Sequence, residues 1–152
     1  MFKMMMAALA VLTASLATGL AESAGTDATS ITQLLHGMFD KPNESLSVGP
    51  VMVSGDHAVA DWAQGQMGGR ALLRRQQTSW TIILCAGDAI KAQGALIRAG
   101  VPAADARKLE TDARISEAQL APEAVAMFSR FEGLVMMDGA SDHANRHTEH
   151  SR

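Results

Sequence analysis

The sequence predicts an α+β fold with an N-terminal helix, a four-stranded antiparallel meander, three C-terminal helices covering one sheet face, and a disordered C-terminal tail. Three observations predict it. Apolar residues recur at helical spacing in SITQLLHGMF; short β-prone runs broken by SGD, GQMGG and QQTS follow; past Cys85 the period becomes helical again, punctuated by Pro102 and Pro122. With 152 residues and 47% hydrophobic composition, one domain with its own core is expected, over 26–137.

The leader MFKMMMAALAVLTASLATGLAESAG carries one positive charge at Lys3, then an uncharged apolar run, then small residues. This is the pattern of a secretory signal peptide, assigned to 1–21, with cuts after Ala17 or Ala24 as alternatives to Ala21. An uncleaved anchor is the competing reading, but the run falls short of the ~20 residues a span needs and is diluted by Thr, Ser and Gly. No cysteine follows it to carry a lipid. The mature chain is expected to be exported, without stable membrane insertion.

In the mature chain, Ile31, Leu34, Leu35 and Met38 share a helical stripe, with Thr29 or Ser30 as cap, so a helix is predicted from about 28 to 39. Strands are predicted near 46–53, 57–65, 69–76 and 79–85. On the second, Ala58, Ala60 and Trp62 oppose His57, Val59 and Asp61; on the fourth, Trp80, Ile82 and Leu84 oppose Thr81, Ile83 and Cys85. Asp88 is a good N-cap for a helix ending at Gly100, Pro102 suits the first turn of the next, and Pro122 repeats the device for a helix ending at Gly133. Residues 138–152 hold no large apolar side chain and are expected to form a mobile tail.

A net charge of -3 with scattered Lys and Arg argues against nucleic acid as a partner. Cys85 is the only cysteine, which excludes an internal disulfide. It reads first as a small buried hydrophobe, with a soft metal ligand or reactive thiol as alternatives.

The stretches GDHAVADW, QGQMGGRALLRR and LCAGDA, within a similarity covering most of the mature chain, resemble the small exported bacterial copper uptake system-associated proteins. The resemblance implies a periplasmic location and a role near copper traffic, with copper-import or copper-chaperone proteins as partners. It brings no ligand set with it.

Cu(I) favours thioether, thiolate and imidazole donors, and Cu(II) favours imidazole with oxygen or amide donors. Met1, Met4, Met5 and Met6 belong to the leader; Met38, Met52 and Met127 lie in apolar patterns and are expected in the core; Met67 sits in a glycine-rich turn. Met136 and Met137 stand where the fold ends, and the tail beyond them carries His143, His147 and His150 with Asp138, Asp142 and Glu149. Copper is therefore expected on Met136, Met137, His143, His147 and His150. Zinc or nickel would suit the imidazoles too, and a merely solubilising tail is the plain alternative.

His57, with Asp56 beside it and Asp61 on its face, reads as a hydrogen-bonded strand-end histidine before it reads as a ligand or base; His36 is a surface or packing residue. Catalysis would need a Cys85–His57 pair oriented by Asp56 or Asp61, and no P-loop, nucleophile-elbow or zinc-protease motif is present, so no enzyme is expected. The expected function is a non-catalytic accessory of copper acquisition, the alternative an exported protein-binding or inhibitor module with no metal role.

Overall fold

The structure is a computed structural model and describes residues 18–137. Helix α1 (Thr18–Phe39) contains the predicted first helix and begins about ten residues before it. Thr29 and Ser30 do not cap it. Their hydroxyls donate to the carbonyls of Gly25 and Thr26, both at 3.0 Å, so each is satisfied inside the helix instead of opening it. Ile31 and Leu35 are fully buried and Phe39 extends their stripe by one more turn. Met38, expected in the core, is 53% exposed because it lies one step off that stripe.

Strands β1 (Leu46–Ser54), β2 (His57–Gln64), β3 (Met67–Gln76) and β4 (Ser79–Ala86) follow as an antiparallel meander within about two residues of expectation. Two-residue turns join them, with Gly55, Gly65 and Gln77 at φ 55°, 58° and 55°, the backbone that tight hairpins require. A fifth strand, β5 (Leu134–Met136), was not predicted; it pairs antiparallel with β4 and forms the sheet edge.

The alternation expected on β2 is observed, but that on β4 is not. Leu72 pairs with Leu84 and Leu73 with Ile82, so Ile83 is an extra residue in β4. This bulge shifts the pleat by one. Trp80, Ile82 and Cys85 therefore pack on one face, against α1, while Ile83, Leu84 and Ala86 pack on the other.

The helix predicted from Asp88 to Gly100 is broken into a 3-10 turn, Asp88–Ile90, and a short helix α2 (Gln93–Arg98). Asp88 does not cap: its carboxylate accepts from Arg70 Nη1 at 3.0 Å and Ser129 Oγ at 2.8 Å. Helix α3 (Ala103–Glu117) matches expectation, whereas α4 (Pro122–Phe128) stops before the predicted Gly133. Helices α2 and α3 bury Leu96, Ala106 and Leu109 against Val59, Leu72 and Leu84, while α1 buries Ile31 and Leu35 against the opposite face. The sheet is thus covered on both sides, and α4 caps its end.

The path after α4 explains its early stop. An added Cβ at Gly68 would lie 2.6 Å from Met127 O, one at Gly69 2.9 Å from Phe131 Cβ, and one at Gly87 2.5 Å from Phe131 O. These three glycines let residues 127–131 cross the sheet end, from Phe128 beside Arg70 on the α3 side to Phe131 beside Trp62 on the α1 side. Gly133, at φ 83°, then turns the chain into β5. No described helix is long and apolar enough to cross a membrane.

Candidate metal-handling site

Strand β5 decides how the predicted donors are presented. Cys85 pairs with Val135 and Leu84 with Met136, so cross-strand partners share faces and successive β5 residues point to opposite sides. Val135 and Met137 line a hollow of about 270 Å³ on the α1 side, walled also by Leu35, Trp62, Cys85 and Phe131. Leu134 and Met136 line a separate hollow on the α2 side. Met136 and Met137, adjacent in sequence, are thereby turned to different faces, and Met137 alone shares a hollow with Cys85.

The first hollow is almost wholly apolar. Its one amide side chain, Gln64, donates from Nε2 to the carbonyls of Phe39 and Glu44, both at 2.8 Å. Burial pushes the Cys85 thiol up to about 11, so it is protonated at neutral pH and is a poor nucleophile there. A soft cation that displaces this proton would find thiolate and thioether donors in one low-dielectric cleft. His143, His147 and His150 lie outside the described residues, in the segment that begins immediately after Met137.

His57 is buried at the far end of β2, with Nδ1 lacking a partner in the structure. Burial lowers its pKa, partly opposed by the carboxylates of Asp105 and Asp56. It faces α3, where Ser54 Oγ donates to Asp105 Oδ1 at 2.7 Å. Cys85 faces α1, so the sheet stands between the two and a Cys–His nucleophilic pair is not assembled. The suggested orienting groups are engaged elsewhere: Asp56 lies 3.5 Å from Arg75 Nε, and Asp61 faces Arg70. His36 lies 3.1 Å from Asp40, and Met67 is 49% exposed at the start of β3. Met52 is buried and Met127 half-buried.

A buried polar cluster was missed by sequence reasoning. Arg70, fully enclosed, donates to Glu117 Oε1 from Nε at 3.0 Å and Nη2 at 2.7 Å, and to Asp88 from Nη1 at 3.0 Å. Lys91 reaches the second Glu117 oxygen at 2.9 Å. These carboxylates are neutralised by protein cations, which suits a structural role better than metal capture. Among the described residues, no group of three or more His, Cys, Asp or Glu side chains is gathered to hold a metal. The signal for the sulfur-lined hollow was the apolar triplet Leu134-Val135-Met136 after Gly133, which is long enough for an edge strand.

Comparison with family models, curated proteins and solved structures finds no match for this chain.

Proposed function

We propose that this protein is an exported, periplasmic, non-catalytic accessory of copper acquisition, which gathers the ion on C-terminal donors and passes it to a copper-import or copper-chaperone protein. The observation that carries this reading is the shared hollow of Cys85 and Met137, at the residue after which the histidine segment begins. Soft sulfur and imidazole donors then adjoin at one end of the fold. Several weak donors on one tether act at roughly millimolar effective concentration, so binding is collective while each bond stays exchangeable. That suits transfer better than storage. The sequence resemblance to copper uptake system-associated proteins supports the same reading.

The test is a competition titration of the mature chain with Cu(I) and Cu(II), comparing wild type, Cys85→Ser, Met137→Leu and the triple alanine variant of His143, His147 and His150. Cu(II) affinity should fall at least about tenfold in the triple variant, or ~1.4 kcal/mol. Because bound imidazole must be neutral, Cu(II) affinity should also fall below about pH 6.5. Cu(I) affinity should fall in the sulfur variants and be less sensitive to mild acid. Equal affinities across all variants in both oxidation states would remove the copper reading. The exposed β5 edge favours a protein-binding module as the reading that would then stand.

A further inference from the structure

The hollow on the α2 side of β5 has a different chemistry from the sulfur-lined one. Its volume is about 350 Å³; Ile83, Ile90 and Ala95 contribute an apolar surface, and Leu134 and Met136 of β5 line it too. Those two β5 side chains are 50% and 55% exposed, so the sheet edge leaves apolar surface uncovered. Two guanidinium groups line the same hollow: Arg74 from β3 and Arg98 from the last turn of α2. Both residues are exposed, and neither meets a carboxylate among the described residues. Arg70 and Arg75, by contrast, are tied to carboxylates.

The geometry points to a binding site for an amphiphilic anion, an apolar chain ending in a carboxylate or phosphate, lying between β5 and α2 with its head group at Arg74 and Arg98. An apolar chain would cover Leu134 and Met136 at roughly 25 cal/mol per Å² removed from water. A carboxylate or phosphate would give the guanidiniums charge-assisted hydrogen bonds, for which their planar fork is suited. A neutral chain would leave both cations without a counter-charge, and a cationic one would be repelled. Size narrows the class further. A cavity of about 150 Å³ accepts the six carbons of benzene, so by the same ratio this hollow takes about fourteen non-hydrogen atoms, the size of dodecanoate. The inference is independent of the copper reading, since it uses none of the proposed copper donors except the backbone position of Met136.

Isothermal titration of the full mature chain with dodecanoate, dodecyl phosphate, dodecyltrimethylammonium, acetate and inorganic phosphate tests it. Saturable one-to-one binding of at least one dodecyl anion is expected, with no binding of the dodecyl cation or of the head groups alone. The tighter of the two anions identifies the head group. Arg98→Glu and Arg74→Glu should each weaken that binding by about tenfold or more. Val135→Ala, on the opposite face of β5, should leave it unchanged. Both arginines are exposed, so their variants should fold, and circular dichroism verifies this. Absence of saturable anion binding, equal binding of the cation, or unchanged affinity in both arginine variants would overturn the proposal.

Discussion

Arg70 Nη2 lies 2.7 Å from Glu117 Oε1, and this bond turns the guanidinium away from Asp61, its direct cross-strand neighbour. Asp61 Oδ1 is left 3.5 Å from Arg70 Nε, and neither carboxyl oxygen of Asp61 accepts a hydrogen bond. One buried cation therefore serves Glu117 and Asp88 while facing a third carboxyl. Arg70 joins β3 to the end of α3 and to the turn after β4, three segments distant in sequence. Its replacement by Ala should cost about 3 to 5 kcal/mol, because Glu117 would remain buried and stripped of its main partner. Denaturant unfolding measures this, and adding Glu117→Gln should recover part of the loss.

Asp61 carries a pH dependence of defined sign. Burial, reinforced by Glu117 and opposed by Arg70 and Lys91, pushes its carboxyl up to about 7 from an ordinary 3.8. The folded state therefore holds this proton more tightly than the unfolded chain. The group's stabilising contribution is complete below the ordinary carboxylate pKa and is lost as pH rises through about 7. Between about pH 4 and 7 the wild type should lose roughly 1 to 3 kcal/mol relative to Asp61→Asn. Parallel stability curves for the two proteins over that interval would contradict the assignment.

Asp27 has the opposite sign. Its hydrogen bonds from Arg75 Nη1 at 2.8 Å and Trp80 Nε1 at 3.3 Å hold its carboxyl below the usual range, the Arg75 bond being the larger cause. Arg75 also stacks over Trp80, 4.4 Å from the ring centroid. This contribution is present above the ordinary carboxylate pKa and is lost as pH falls through the lowered one. Asp27→Asn should destabilise the protein by about 1 to 3 kcal/mol at neutral pH, and the difference should shrink in acid.

Gly87→Ala tests the crossing at the sheet end. The added Cβ would meet the Phe131 carbonyl oxygen at 2.5 Å, a backbone atom that cannot rotate aside. A loss of about 1 to 3 kcal/mol in denaturant unfolding is expected. Phe128→Ala, at a site only 4% exposed, should cost about 3 to 5 kcal/mol. A loss below about 1 kcal/mol would show that the α4 segment does not seal the core.

Cys85 should react slowly. With burial pushing its thiol up to about 11, alkylation by iodoacetamide at neutral pH should be much slower in the folded protein than in denaturant. Rapid labelling of the native chain would show that the hollow opens. Protection by Cu(I), with release of a proton, would in addition support the proposed sulfur donors.

Local pattern made much of the architecture legible. The Ile31–Leu35 stripe, the hairpin glycines Gly55 and Gly65, and the prolines at 102 and 122 act over a few residues, and their elements appear where periodicity and turn chemistry predict them. Met137 and Cys85 were both legible as soft donors, but their common hollow was not. It depends on a bulge at Ile83 that turns Cys85 toward α1, and on pairing between strands 49 residues apart along the chain at Ala86 and Val135. Periodicity alone put Met136 and Met137 in one site; the alternation of a strand turns them to opposite faces. Gly68 and Gly69 resembled turn residues because the Cβ space they relinquish is taken by Met127 and Phe131, far along the sequence. Arg70 resembled a surface cation until Glu117 and Asp88 were brought around it. The sequence by itself determined which segments form helices and strands, because those preferences are local. Which donors and charges meet was decided only by tertiary structure, because register, bulges and close crossings depend on residues that the chain brings together from afar.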